Sequence, residues 1–224
     1  AESYGDPDVF PQPETYVGRV DPVGPRSPYE EGKRFGEALT RFWGGKYGIE
    51  VRIVRIFNTY GPAMSPKDQR VIPQMLTRLI AGQPVPIYGD GTQTRTFLHV
   101  DDLVTGLLTV MEKGNSGEVY NVGGDEQITV RDLFTTVKRA TGLVGKADFR
   151  DHFIEDHRGR WPDTTRLRAL GWRPNISLET GIRQSYQDLL RSLGIKPART
   201  ASSPEHRKDG GPSVPGDRLQ PAAP

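Results

Sequence analysis

Apolar residues recur along the chain at two alternating periods. Phe35, Leu39, Phe42 and Trp43 return at helical spacing, which predicts a helix over residues 28–47, and Gly44, Gly45 and Gly48 mark its end. The β-branched run Val51–Phe57 predicts a buried strand, stopped abruptly by the Asn58–Pro62 turn. Residues 70–81 predict a helix with Pro73 tolerated in its first turn and Gly82 as its stop. Val85–Tyr88 predicts a short strand, at an edge because of Pro86, and Thr94–Val100 another, with a tight turn at Gly89-Asp90-Gly91 between them. Asp101 and Asp102 give an acidic start to a helix through about Met111. Val119–Val122 reads as a strand running into Gly123-Gly124. Thr129, with Asp132 three residues on, predicts an N-cap for a helix to about Ala140. A short helix over 163–170 closes at Gly171-Trp172, and Leu178–Leu193 form a last amphipathic helix after Ser177.

Strands alternate with helices, so the class is α/β. Residues 1–27 fall outside this pattern. Pro7, Pro11, Pro13, Pro22 and Pro25 exclude a long helix there, and a loop of this length in a compact domain is usually functional or disordered. From about Lys196 the chain is Pro, Ser, Gly and charge, which predicts a disordered tail. The domain bounds are therefore 1–193 and 194–224.

Composition removes several function classes. The net charge of +2 is near balance, and no basic run or basic–aromatic stripe marks a nucleic-acid surface. The absence of cysteine excludes disulfides, thiolate metal sites and a cysteine nucleophile, and fits a reducing, cytoplasmic setting. The four histidines, His99, His152, His157 and His206, show no ligand spacing, so no metal is expected. The longest apolar runs are too short to span a bilayer, and the opening Ala-Glu-Ser-Tyr-Gly-Asp is no signal peptide. The 34% hydrophobic content is low for a compact globule, part of the deficit lying in the tail.

The candidate chemistry begins with Tyr29 and Lys33. Four residues apart on a helix, they share one face. An ammonium beside a phenol favours the phenolate and lowers its pKa, which equips a tyrosine as a general base near neutral pH. Taken alone, the pair reads rather as a surface tyrosine resting on a lysine stem. Asn58 and Thr59 follow directly on a predicted strand, where open α/β sheets place ligands, or they simply satisfy a turn.

Several ordered stretches together widen this reading. They are Tyr4–Pro7, Pro11–Glu14, Pro22–Arg26, Tyr29–Arg34, Arg55–Pro62, Tyr88–Arg95 and Arg160–Asp163. From residue 1 to about 193 the chain resembles the C-terminal portion of extended short-chain dehydrogenase/reductases acting on nucleotide-sugars. Within that group it is most similar to the UDP-glucuronate decarboxylases. The resemblance implies a partial Rossmann-type parallel sheet, its N-terminal half absent, with a small mixed α/β substrate-binding subdomain. No G-x-G-x-x-G or G-x-x-G-x-x-G turn occurs in the chain, so the pyrophosphate cradle is missing, and the chain alone is not expected to bind NAD measurably. Ala1 stands where the decarboxylases usually carry Ser, and Ala63 where relatives usually place Arg.

The resemblance also implies roles. Tyr29 takes the proton from the sugar C4 hydroxyl while hydride goes to NAD; the 4-keto acid loses CO2 and hydride returns to give UDP-xylose. Lys33 assists Tyr29 and contacts the ribose, and Thr59 and Arg70 lie on the cofactor side. Asn58 and Tyr88 contact the nucleotide-sugar, although Tyr88 reads also as a plain edge-strand residue. Arg95 addresses the diphosphate or uridine. Glu2 moves protons at the sugar ring or is a solvated carboxylate. Arg160 addresses the acidic sugar or pairs with Asp156 or Asp163. Phe42 and Trp43 on the Tyr29 helix form a homodimer interface rather than core. Two other readings stay open: a 4,6-dehydratase or 4-epimerase of the same superfamily, and a non-catalytic sugar-nucleotide-binding or oligomerisation fragment.

Overall fold

The computed structural model describes residues 1–151 and 159–196. The tail expected from residue 194 lies outside these residues from 197 onward. A 3-10 turn at Glu2–Tyr4 opens the chain. There follow α1 (Ser27–Tyr47), β1 (Ile53–Ile56), β2 (Thr59–Tyr60), α2 (Val71–Ile80), β3 (Val85–Tyr88), β4 (Thr94–Thr96) and β5 (Leu98–His99). The second half holds α3 (Val100–Lys113), β6 (Val119–Val122), β7 (Gln127–Thr129), α4 (Val130–Thr141), β8 (Ala147–Arg150), α5 (Thr165–Ala169) and α6 (Leu178–Ser192).

The strands join in pairs: β1 with β6, β2 with β5 and β3 with β8 are parallel, and β4 with β7 is antiparallel. Two apolar cores result. Ile72, Leu76, Ile87, Leu133, Val137 and Ile182 pack α2, β3, α4 and α6 together, and this is the small mixed subdomain. Leu98, Val110, Tyr120, Val122, Leu167 and Trp172 form the second core around β6 and α3.

Capping follows the sequence at two of three helices. The Thr129 hydroxyl accepts from the Asp132 N–H, and the Ser177 hydroxyl from the Thr180 N–H. At the third, Asp101 and Asp102 stand in the first turn of α3 as expected, but the cap comes from elsewhere. His99 caps α3 through Nδ1, while the buried Asp102 carboxylate accepts the Asn175 and Ile176 N–H groups, tying α3 to the approach of α6. Other differences concern pairing. Thr59–Tyr60 is no plain turn but a two-residue strand on β5. The predicted strand Thr94–Val100 breaks at Phe97 into β4 and β5, which pair with different partners. Strands β7 and β8 went unpredicted.

Helix α1 is built inside out. Its apolar residues Phe35, Phe42, Trp43 and Tyr47 are all exposed, and Glu30 and Gly44 are its buried residues. Its body-facing stripe is polar: Glu30, Arg34, Glu37 and Arg41 recur at helical spacing. Arg34 donates to the carbonyls of Val17 and Ser3, Arg41 to that of Gly117, and Glu37 pairs with Arg55 of β1.

Candidate active site

One cavity of about 850 Å³ opens between α1, β1, the 3-10 turn and the small subdomain. Glu2, Tyr29, Lys33, Asn58, Thr59, Arg70, Tyr88, Arg95 and Arg160 all line it. Residues scattered over 158 positions of sequence thus meet at one place. The volume lies in the range of pockets for small molecules and cofactors. Six basic side chains, Lys33, Arg52, Arg55, Arg70, Arg95 and Arg160, face two acidic ones, Glu2 and Glu37. The excess favours an anionic ligand.

Helical periodicity places Tyr29 and Lys33 on one wall. The Lys33 ammonium lies 5.3 Å from the centre of the Tyr29 ring, close enough for a cation–π contact. The phenol is 56% exposed and so open to a ligand.

A charge cluster sits on the 3-10 turn, joined through Arg26 to Glu30 of α1. Both Arg160 guanidinium ends reach Glu2, Nη1 to Oε1 at 2.8 Å and Nη2 to Oε2 at 2.9 Å, and Arg26 Nη2 adds a third contact to Oε2 at 2.7 Å. Arg160 therefore pairs with Glu2, not with Asp163, whose carboxylate accepts the Thr165 N–H; Asp156 lies outside the described residues. Burial pushes the Glu2 carboxyl upward, but the charge and hydrogen bonds of Arg160 and then Arg26 outweigh it, so its pKa lies below the ordinary value. Glu2 at this site is therefore a carboxylate held by two guanidinium groups.

The loop of residues 1–27 holds this cluster in place. Gly5 follows the 3-10 turn at φ +62°, and a Cβ there would run into the Arg19 carbonyl. The close approach lets the Asp6 N–H reach Arg19 O at 3.0 Å and the Arg19 N–H reach Tyr4 O at 2.9 Å. Gln12, fully buried, fastens the Arg160 segment: its N–H donates to Trp161 O at 2.7 Å, and its carbonyl accepts from the Asp163 N–H at 2.9 Å. Thr96 donates to the Arg160 carbonyl at 3.2 Å. Asn121 of β6 accepts from the Tyr4 hydroxyl at 2.8 Å and donates its side-chain N–H to Gln12 O at 2.8 Å.

The remaining candidates line the far side. Asn58 and Thr59 leave β1, the Asn58 carbonyl bound by the Leu98 N–H and the Thr59 hydroxyl donating to Phe57 O. Arg70 precedes α2 and chelates Asp68 at 2.6 Å, two-thirds exposed at the rim. Tyr88 ends β3, and Arg95 projects from β4, donating to the Thr94 carbonyl at 2.8 Å. Sequence reasoning missed Arg26, Glu37 and Arg55 as parts of the site, although Arg26 and Arg55 each end or begin a matching stretch. Among the described residues no group of His, Cys, Asp or Glu could hold a metal ion, and no helix is long and apolar enough to cross a membrane.

Residues 1–123 match the NAD dependent epimerase/dehydratase family. UDP-glucuronic acid decarboxylase 5 of Arabidopsis thaliana is 39% identical over 196 residues, which cover 87% of this chain and 57% of that protein. UDP-glucuronic acid decarboxylase 1 of Xenopus tropicalis is 38% identical over 86% of this chain and 46% of its own length. The chain thus spans about half the length of these curated relatives. Among solved structures, UDP-glucose 4-epimerase of Thermotoga maritima with UDP-glucose superposes with a TM-score of 0.77 at 33% identity, covering 85% of this chain and 60% of that one. The dTDP-glucose 4,6-dehydratase DesIV of Streptomyces venezuelae, with NAD bound, gives 0.73 at 30% identity over 86% and 58%. With an α/β fold, parallel strand pairs and a cationic cavity at the strand ends, the chain belongs to the NAD dependent epimerase/dehydratase family.

Proposed function

We propose that this chain is the catalytic-helix and substrate-binding part of an NAD-dependent UDP-glucuronate decarboxylase that forms UDP-xylose. The observation carrying this reading is a single cationic cavity with Tyr29 and Lys33 on one wall and the Glu2–Arg160 pair on the other. The decarboxylase relatives at about 40% identity favour this substrate.

The cavity offers NAD a partial fit. Tyr29, Lys33, Thr59 and Arg70 present a phenol, an ammonium, a hydroxyl and a guanidinium on one side, suited to a ribose and a phosphate; the Gly-rich cradle is not among the chain's residues. NAD, when bound, supplies a hydride acceptor. The chain's own residues then handle protons and charge. Tyr29 accepts the C4 hydroxyl proton, with the Lys33 ammonium beside it. Oxidation at C4 makes the acid sugar a β-keto acid, whose loss of CO2 leaves a resonance-stabilised enolate. Arg160 orients the sugar carboxylate in exchange for Glu2, and Glu2, released as a carboxylate, accepts or returns a proton at the ring. Asn58, Tyr88 and Arg95 hold the nucleotide, with Arg95 at the diphosphate. The outward aromatic face of α1 supports pairing with a second copy through that helix.

The test is incubation of the full-length protein with UDP-glucuronate, following CO2 and UDP-xylose. A C4-epimerised acid sugar, or turnover of a neutral sugar by loss of water, would support the 4-epimerase or 4,6-dehydratase reading that the solved neighbours favour. Binding of UDP-sugar with no turnover would leave the binding-fragment reading.

A further inference from the structure

We propose that Arg55 is a positioning residue that fixes the separation between the two walls of the cavity. The inference rests on the functional reading above, since it concerns how those walls meet a substrate. Arg55 lies mid-strand in β1, its side chain 13% exposed, and every nitrogen of its guanidinium is engaged. Nε and Nη2 form a fork on the Glu37 carboxylate at 2.9 and 2.7 Å. Nη1 donates to the Glu14 carbonyl at 3.1 Å, and the guanidinium lies 4.6 Å from the centre of the Tyr4 ring. Three of its five N–H donors are thus committed to the protein, while the side chain also lines the cavity wall.

Its partners belong to both walls. Glu37 sits one helical turn from Lys33 and two from Tyr29, on the same face of α1. Tyr4 ends the 3-10 turn that carries Glu2, and Glu14 belongs to the loop that fastens Arg160 through Gln12. One planar cation therefore references the phenol and ammonium to the carboxylate and guanidinium of the charge cluster. α1 has no buried apolar face to do this, because its apolar stripe points outward. Arg34, which reaches the Ser3 and Val17 carbonyls and pairs with Glu31, Arg41 on the Gly117 carbonyl, and Arg26 between Glu2 and Glu30 grip the same helix; Arg55 adds strand β1 to these ties.

The test uses full-length Arg55→Met and Glu37→Gln, with Arg41→Met as a control lying away from the cavity. A misplacement of about 1 Å costs on the order of 100-fold in rate. Arg55→Met is expected to lower kcat on UDP-glucuronate by about that factor, with KM changed less than about threefold. Arg41→Met should leave both unchanged. Arg55→Lys should rescue little, because an ammonium cannot form the fork on Glu37 and reach Glu14 together. In parallel, hydrogen exchange in the 224-residue chain should quicken together at residues 2–4 and 29–37 in Arg55→Met, but only near residue 41 in the control. If Arg55→Met does not fold, Glu37→Gln carries the same test with a milder change. A folded Arg55→Met with wild-type kcat, or exchange that quickens on one wall alone, overturns the proposal. Should wild-type protein turn over no sugar-nucleotide, the functional reading fails, and the exchange experiment still decides on Arg55.

Discussion

Replacing Glu2 with Gln tests the charge cluster on the 3-10 turn. The carboxylate receives three charge-assisted contacts of 2.7–2.9 Å, two from Arg160 and one from Arg26. Gln keeps one acceptor but loses the charge and turns an N–H₂ toward a guanidinium. Arg160 is 8% exposed, so it is stranded with little access to water. Breaking a fully buried pair costs about 3–5 kcal/mol, but Glu2 is 22% and Arg26 38% exposed, and solvent screening brings the expected loss to about 2–3 kcal/mol. For a domain of this size that is about 4–12 °C in Tm. The loss also depends on pH. The folded-state pKa of Glu2 lies below its ordinary 4.5, so its contribution is present above 4.5 and disappears as pH falls through the folded value. Glu37, lowered by Arg55 against burial, shifts stability the same way; Glu14, raised by burial, shifts it the opposite way. Both are present in wild type and variant and cancel in the difference. Urea unfolding followed by circular dichroism between pH 3 and 7 should show a gap that is full at pH 7 and closes toward pH 3. A gap of the same size at both ends, or none at pH 7, would refute the argument.

Three further outcomes are expected. Ala63 adopts φ +64°, a left-handed conformation that costs a side-chain-bearing residue about 1 kcal/mol, so Ala63→Gly should raise stability by about 0.5–1 kcal/mol in urea titrations. Arg95→Ala should weaken UDP binding by about tenfold in calorimetry, the worth of one charge-assisted phosphate contact, and unchanged affinity would remove Arg95 from the nucleotide site. Trp43→Glu, on the outward face of α1, should convert a self-associating protein to monomer in sedimentation equilibrium, since a charge in an apolar helix contact lacks a partner.

Much of this arrangement was legible because one kind of signal was local. Helical periodicity located α1, α2, α4 and α6 to within a residue or two, and Thr129 and Ser177 announced their caps. Strands were harder. The two-residue β2 and the three-residue β7 are too short for a period of two to register, and β8 alternates Ala, Asp, Phe and Arg over only four residues, too few to stand out, with burial that does not follow the alternation. The family resemblance singled out residues that line one cavity, but not their pairings. Glu2 and Arg160 are 158 positions apart, and nothing in either neighbourhood specifies that the two charges meet. The same holds for Asp102, whose acidic neighbour suggested a helix start while its carboxylate serves a segment 73 residues away.

Helix α1 shows why the pattern misleads at the element that matters most. Amphipathicity alone would turn its stripe of Phe, Leu and Trp inward, whereas the family resemblance placed Phe42 and Trp43 outside the core, where they are. The structure turns inward the stripe of Glu30, Arg34, Glu37 and Arg41 instead. Ion pairs and carbonyl contacts constrain direction and distance, whereas apolar packing is non-directional. Held by the directional kind, α1 keeps Tyr29 and Lys33 in fixed register with the other residues that line the cavity. Its apolar stripe is left on the outer face, away from the residues that line the cavity.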